Sequence, residues 1–177
     1  MKIPHYKTTM ELPEFEALLV AAGYKQIGSG CWSVVYGKEN VVCKVGEANS
    51  KGYLSFVEQA IQHSENPHLP KIYAAGVFHI RRFTYFVVYM ERLTESHNMP
   101  TSVVDSWFRK HNLEDAWDFE CPHVLTKYSR TKALKELADI LAMLYKKYDS
   151  DMENFNLMWR TNGVKKPELV ITDPVWR

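Results

Sequence analysis

Three short strand patterns follow one another early in the chain, with only brief turns between them. They cover residues 24–27, 32–36 and 41–45. Gly28-Ser29-Gly30 joins the first two strands, and residues 37–40 join the next two as a hairpin. Strands joined by turns this short run antiparallel, so this part of the chain is expected to form an antiparallel sheet.

Two later strand patterns extend the sheet, and one helix is inserted before them. The helix covers residues 53–62 and is stopped at Asn66-Pro67, because proline cannot continue the hydrogen-bond ladder. The later strands cover residues 71–78 and 84–90, with the basic turn Arg81-Arg82 between them. The sequence therefore predicts five strands with one helix after the third.

Helical patterns dominate outside the sheet. They cover residues 13–22, with Phe15, Leu18, Leu19 and Ala22 on one face, residues 103–111, and residues 131–148, with an apolar stripe of Leu134, Leu137, Ile140, Leu141 and Leu144. The last element is a hairpin of residues 157–159 and 169–171 around Asn162-Gly163. We expect an α+β fold with a sheet-containing lobe, residues 1–93, and a small helical lobe, residues 94–177.

Charge and apolar content argue against some classes of partner. The 22 basic and 21 acidic side chains nearly cancel, so nucleic acid and anionic membranes are not expected as partners. The sequence has no apolar signal core and no run of about 18 apolar residues. Cys31, Cys43 and Cys121 match no metal-binding spacing, which favours reduced thiols and a cytoplasmic location.

Two neighbouring motifs in the sheet carry residues suited to phosphate binding. Glycines such as Gly28 and Gly30 let the backbone approach a phosphate and adopt angles that a side chain forbids, although a plain hairpin also explains them. Lys44, on the third strand, can reach phosphates or lie on a solvated outer face. Glu58 of the inserted helix is a candidate partner for Lys44, and its spacing leaves that pairing open.

A third motif, near the end of the sequence, combines carboxylate and amide side chains. Asp151 and Asn156 have Asp-x-x-x-x-Asn spacing between a long helix and a short apolar strand, and Asp173 follows the return strand. Phosphoryl transfer needs a carboxylate that accepts the hydroxyl proton and oxygen ligands that hold Mg²⁺. A solvated acidic turn is the alternative, but the order of the three motifs favours a phosphoryl-transfer site.

In this order the motifs resemble the protein-kinase-like superfamily, and more closely the early host-takeover Ser/Thr kinases of T7-like bacteriophages. The matching stretches are residues 23–30 with Ser33, Lys44-Val45-Gly46, Asp151-Met152 with Asn156-Leu157-Met158, and Ile171-Thr172-Asp173-Pro174-Val175, which is similar to that family's replacement for Asp-Phe-Gly. The resemblance implies a minimal bilobal kinase-like fold, with ATP and Mg²⁺ as cofactors. It also implies transfer of the γ-phosphate to Ser or Thr of host bacterial proteins in the host cytosol.

The resemblance also implies a role for each motif. The implied nucleotide-binding residues are Gly28, Ser29, Gly30 and Ser33 over the phosphates, Lys44 at the phosphates, Val35 and Met90 beside the adenine, and the backbone of Glu91 to Leu93 at the adenine edge. The implied catalytic residues are Asp151, as the base, and Lys44. The implied Mg²⁺ ligands are Asn156 and Asp173.

Departures from the kinase pattern leave other functions open. Asp149-Ser150 stands where kinases usually have His-Arg, Glu153 stands where many have lysine, and the sequence ends at Arg177, soon after the Asp173 motif. A platform for a protein substrate would therefore have to come from residues 94–130 or from a second subunit of a homodimer, or it does not exist.

One alternative is a kinase-derived, pseudokinase-like binding protein that inhibits a host or defence protein without catalysis. Its anchors would be Trp107, Phe108, Trp117 and Phe119, unless these aromatic side chains are buried in the helical lobe. Another alternative is a small-molecule phosphotransferase of the aminoglycoside type, a class that generally has a larger C-terminal lobe.

Overall fold

A six-stranded mixed sheet forms the first part of the protein. We analysed a computed structural model, which describes residues 2–30, 32–48, 51–113, 116–128, 131–150, 156–164 and 166–176. The strands are β1 His5–Lys7, β2 Lys25–Ser29, β3 Ser33–Lys38, β4 Val41–Glu47, β5 Ile72–Ile80 and β6 Phe83–Glu91, in the spatial order β1-β5-β6-β4-β3-β2. All five predicted strands are present and pair antiparallel with one another.

The first strand was not predicted from the sequence. Strand β1 pairs parallel with β5, so the sheet is mixed rather than purely antiparallel. Its three residues are all exposed, so no alternation of apolar and polar side chains marks it as a strand. A short edge strand of this kind is identified only by the neighbour that it pairs with.

Five helices and five short strands make up the rest of the described structure. The helices are α1 Leu12–Ala21, α2 Lys51–Gln62, α3 Thr101–His111, α4 Pro122–Tyr128 and α5 Lys132–Tyr145, with 3₁₀ turns at Ser96–Asn98 and Ala116–Phe119. The strands are β7 Thr94–Glu95, β8 Asp149–Ser150, β9 Leu157–Arg160, β10 Glu168–Ile171 and β11 Val175–Trp176. The α+β class is confirmed, whereas α4 was not predicted and α5 ends three residues before the predicted residue 148.

The two faces of the sheet are covered by different elements. On β4, Cys43 and Val45 face a small core that includes Leu19 of α1, while Val42 faces a larger core that includes α2 and α5. Cys43 is fully buried, and burial raises the pKa of its thiol to about 12, which keeps the thiol protonated. The larger core continues without a break across residues 93 and 94, from the sheet into the helices and the β9–β10 hairpin.

Helix α1 packs on the sheet by a narrower face than the sequence suggested. Leu19 is buried, but Leu18, which was placed on the same face, is 53% exposed. Residues 17–22 are apolar on every side of the helix, so periodicity alone does not select the buried face. In contrast, every leucine and isoleucine of the predicted stripe on α5 is buried, which confirms that pattern.

Arg160, at the end of β9, is a cation that is buried within the described part of the protein. Its guanidinium donates to both carboxylate oxygens of Glu91, at 2.5 and 2.9 Å, and to Glu168 at 3.0 Å. It also donates to the carbonyl oxygens of Pro67 and Leu69, at 2.6 and 2.9 Å. Arg160 therefore ties the end of β6 to the loop after α2 and to the β9–β10 hairpin.

The described helices are each too short or too polar to be a membrane span.

Candidate functional site

One row of residues across the sheet brings the first two motifs together. Gly28 pairs with Val35, Val35 with Lys44, and Lys44 with Val88. Directly paired residues of antiparallel strands lie on the same face of a sheet. The glycine motif, the predicted adenine-lining valine and the lysine therefore share the face that packs against α2 and the C-terminal elements.

The glycine motif forms the end of β2 and the turn into β3. The strand continues through Ser29, and the amide of Gly30 donates to the carbonyl oxygen of Ser33 at 2.8 Å. Neither Gly28 nor Gly30 has a positive φ, so the prediction that they adopt angles forbidden to other residues is wrong. A side chain at Gly30 would meet no described atom within 4 Å, so the turn leaves room for a ligand to approach its backbone.

The glycine that sterics do require is Gly46, which the sequence analysis mentioned only as a neighbour of Lys44. A Cβ atom at this position would lie 2.4 Å from the carbonyl oxygen of Trp32 and 2.8 Å from the ring of Phe86. The amide of Glu47 donates to the same Trp32 oxygen at 3.2 Å. The missing side chain at Gly46 therefore lets the turn between β2 and β3 lie close over β4, next to Lys44.

The second and third motifs meet through an ion pair between Lys44 and Asp173. The distance from Lys44 Nζ to Asp173 Oδ2 is 2.5 Å, although the two residues are 129 positions apart. The two side chains are 14% and 27% exposed, so the pair is partly shielded and still open to solvent. The structure thus brings together the residues predicted to bind phosphate and metal.

The candidate partner Glu58 lies elsewhere. Its carboxylate accepts a hydrogen bond from the amide of Ile3 at 3.0 Å, which anchors the N-terminal segment to α2. The side chain of α2 that meets Lys44 is Tyr53, whose ring centroid is 3.9 Å from Nζ. Tyr53, and not Glu58, is therefore the residue of this pair that faces Lys44.

The two predicted metal ligands are held next to each other by the β9–β10 hairpin. The carbonyl oxygen of Asn156 accepts from the amide of Thr172 at 3.0 Å and from its hydroxyl at 3.2 Å, and Asp173 is the next residue. Their side chains, an amide and a carboxylate, carry the oxygen atoms that Mg²⁺ prefers, and the Asn156 side chain is buried. In the described residues no group of three or more His, Cys, Asp and Glu side chains suits a metal.

The predicted base, Asp151, lies outside the described residues, as does Glu153. The residues on either side of this segment are placed close to the Asp173 motif. Ser150, in β8, pairs with Val175 in β11. Asn156, on the other side, contacts Thr172. Both flanks of the Asp151 segment therefore meet the short stretch of chain that contains Asp173.

The predicted adenine-binding residues lie beside Lys44 and further along the same sheet face, with Val35 paired to Lys44 itself and Met90 paired two residues away on β4. Met90 pairs with Val42 and is buried, and Val35 is half-buried. The amide of Glu91 donates to the carbonyl oxygen of Lys71, and the amide of Arg92 donates to that of Asn40. The amides of Glu91 and Arg92 are therefore both engaged by other backbone carbonyl groups.

The aromatic side chains proposed as docking anchors are mostly buried. Trp107 and Phe108 on α3 are each 8% exposed, and Phe119 is fully buried. The side chain of Trp117 lies outside the description. Trp107 packs against Trp159 with a centroid distance of 6.0 Å, and Phe108 packs against Phe119 at 6.4 Å. The alternative of a surface with aromatic anchors is therefore wrong for these three residues.

Two histidines join this aromatic cluster. His68 contacts the ring of Trp107 and donates its Nδ1–H to the carbonyl oxygen of Leu169, 2.9 Å away. Burial lowers the pKa of His68, and burial lowers that of His111 to about 4, with Lys110 and His68 acting in the same direction on His111. Both imidazoles are therefore neutral in the folded protein at neutral pH.

We expect the free energy of unfolding to fall as the pH is lowered from about 6.5 to about 4. In this range the unfolded chain binds a proton at His111 while the folded protein largely does not, so stability that is present above pH 6.5 is lost as the pH falls toward 4. The lowered pKa of His68 acts in the same direction. We estimate a loss of about 1–3 kcal/mol from His111. Urea denaturation at pH 7 and pH 4.5 measures it. His111→Phe should lessen the pH dependence, and an unchanged slope in this variant would contradict the assignment.

The chain was also compared with known proteins. No protein-family model matches it, and no curated protein is significantly similar to it.

Proposed function

We propose that this protein binds ATP with Mg²⁺ and transfers the γ-phosphate to Ser or Thr of host bacterial proteins, acting in the host cytosol as kinases of T7-like phages do. The observation that carries the proposal is the ion pair between Lys44 and Asp173. It joins two motifs that the sequence keeps far apart, on the sheet face that also contains Gly28 and Val35.

The chemistry of this pair suits a nucleotide site. A partly exposed lysine offers a compact positive charge to phosphate oxygens, and a carboxylate beside it offers an oxygen ligand to a metal. Asn156 and Asp173 would hold Mg²⁺, which supplies positive charge that offsets the charge on the phosphates when it is bound. Lys44 would bind and orient the phosphates, and the open turn at Gly30 would leave its backbone free to approach them.

The positions of the flanking strands also support this function. Strand β8 ends just before the Asp151-to-Asn156 segment, and β11 begins just after Asp173. Because β8 and β11 pair with each other, they bring the start of that segment close to the Asp173 motif. Under the proposal, Asp151 acts as the base that accepts the proton of the substrate hydroxyl. The backbone of Leu93 and the side chains of Val35 and Met90 would hold the adenine.

A thermal-shift titration with ATP and Mg²⁺ tests nucleotide binding. At a ligand concentration about 100 times Kd, the protein should gain about 2.7 kcal/mol and melt several degrees higher. Lys44→Met and Asp173→Asn should each lose most of this gain, since the first removes the charge proposed to bind the phosphates and the second weakens a proposed ligand of Mg²⁺.

Lys38→Met is the matched control, because Lys38 lies on the neighbouring strand and its Nζ donates to the exposed carbonyl oxygen of Ala22 at 2.7 Å. This variant should keep the full shift. Wild-type protein that gains no stability from ATP with Mg²⁺, or a Lys44→Met variant that gains as much as the wild type, would overturn the proposal.

A further inference from the structure

We infer that Tyr53 is the positioning residue for Lys44, and that its ring face does the work that a glutamate does in the ordinary kinase pattern. The inference rests on the proposed function, because it concerns how the phosphate-binding lysine is held. It identifies a residue that the sequence motifs did not include.

The register of α2 decides which side chain faces Lys44. The buried side chains of the helix, those of Tyr53, Phe56, Val57 and Ala60, recur at the spacing of one helix face, and the neighbouring Gly52 is buried as well. Glu58 comes five residues after Tyr53 and is therefore turned away from it by about 140° around the helix. This rotation explains why Glu58 binds the amide of Ile3, while Tyr53 meets the lysine.

Tyr53 is itself held firmly. It is 2% exposed, and its ring packs on Phe86 with a centroid distance of 5.1 Å. Phe86 pairs across the sheet with Gly46, two residues after Lys44 on β4. Tyr53 and Lys44 are thus fixed relative to each other through the core of the sheet, and not through a flexible surface contact.

The ring is a different kind of partner from a carboxylate. An aromatic face attracts a cation without accepting its N–H groups in the way that a carboxylate oxygen does. The donors of Lys44 therefore stay available for Asp173 and for phosphate. Burial and the nearby charge of Asp173 raise the pKa of Tyr53, so the ring stays neutral.

The hydroxyl of Tyr53 is not needed for this role. It is buried and has no hydrogen-bond partner in the described part of the chain. Tyr53→Phe keeps the ring face and removes only this hydroxyl, whereas Tyr53→Met keeps an apolar side chain that fills the core flexibly and removes the face. Comparing the two variants therefore distinguishes an effect of the aromatic ring from an effect of core packing.

The test combines lysine NMR with nucleotide titration on the full chain. In protein labelled with ¹³C at the lysine Cε, the Lys44 signal, identified by its loss in Lys44→Arg, should be shifted upfield by the ring current of Tyr53. We expect the shift to persist in Tyr53→Phe and to vanish in Tyr53→Met. The affinity for ATP with Mg²⁺ should be unchanged in Tyr53→Phe and weaker by about 3- to 30-fold in Tyr53→Met.

The outcomes separate this inference from the proposed function. A Lys44 signal without an upfield shift in the wild type overturns the inference, and this measurement does not depend on any Tyr53 variant folding. Equal ATP affinity of Tyr53→Met and wild type overturns it as well, while nucleotide binding itself stands. If the upfield shift is present and the wild type binds no ATP, the proposed function fails, and with it the role of Tyr53 in that function.

Discussion

Replacement of Arg160 by methionine should lower the free energy of unfolding by about 3–5 kcal/mol, the range typical of breaking a buried ion pair from one side. Arg160 is 5% exposed and donates five hydrogen bonds to buried or partly buried acceptors. Methionine has a similar length but no donor. The Glu91 carboxylate and the carbonyl oxygens of Pro67 and Leu69 would all lose their partner in the core.

The loss comes mainly from the acceptors that are left behind, and a second variant can show this. Glu91→Leu combined with Arg160→Met removes both charges, and we expect the double variant to be more stable than Arg160→Met alone, since a paired replacement leaves no unpaired charge. Urea denaturation followed by circular dichroism measures all three proteins.

Arg92→Met is the matched control for this series. Arg92 is an exposed arginine next to Glu91, and its guanidinium makes only a 3.4 Å contact with the carbonyl oxygen of Glu39. A substitution at such a surface position should change stability by less than about 0.5 kcal/mol. If Arg160→Met were as mild as Arg92→Met, the buried ion pair would not hold the end of β6 as the geometry indicates.

Arg160 also shows what the sequence could not reveal. It lies one residue beyond the predicted strand 157–159, next to a tryptophan that suggests a core, yet nothing in its neighbours distinguishes a buried arginine from a surface one. Its burial depends on two distant segments, at Pro67 and Glu91, which join the hairpin residue Glu168 around it only in the folded protein. Long-range charge pairing of this kind has no local sequence pattern.

Local patterns did predict most of the framework. The five antiparallel strands, the β9–β10 hairpin and the stripe on α5 all follow from side-chain alternation, short turns and helical spacing, which depend on near neighbours. Strand β1 and the buried face of α1 were not predicted, because the first is too short to show alternation and the second is apolar on every side.

The candidate site, like the fold, was predicted in part from the sequence. The motif order assigned Lys44 and Asp173 to one site, and the structure brings them into direct contact, which was not itself predicted. The partner of Lys44 on α2 was left open because it depends on how the helix is rotated about its axis, and a shift of a few residues in that register exchanges Glu58 for Tyr53. The steric need for Gly46 was likewise invisible, since it arises where one turn crosses another strand.

The largest effect on activity is expected at the ion pair. If the protein is a kinase, Lys44→Met and Asp173→Asn should each lower the rate of phosphate transfer by about 10²–10³-fold or more, because each removes a group that stabilises charge on the transferred phosphoryl. The measurement is incorporation of ³²P from labelled ATP into the proteins of a bacterial lysate, followed by analysis of the phosphorylated amino acids. Phosphoserine or phosphothreonine is the expected product.

Two controls decide how a loss of transfer is interpreted. Asp139→Asn changes an exposed aspartate on α5, outside the site, and should transfer phosphate at the wild-type rate. Asp151→Asn should abolish transfer and keep the thermal shift with ATP and Mg²⁺, because the proposed base acts on the substrate hydroxyl and not on nucleotide binding.

The same variants separate catalysis from inhibition by docking. Wild-type protein that labels neither a lysate protein nor itself would exclude the kinase proposal, and label found only on a small molecule would indicate the phosphotransferase class. An Asp151→Asn protein that keeps full biological activity toward the host would favour a binding protein. With Trp107, Phe108 and Phe119 buried, such a protein would have to use another surface, so we expect Asp151→Asn to lose that activity together with phosphate transfer.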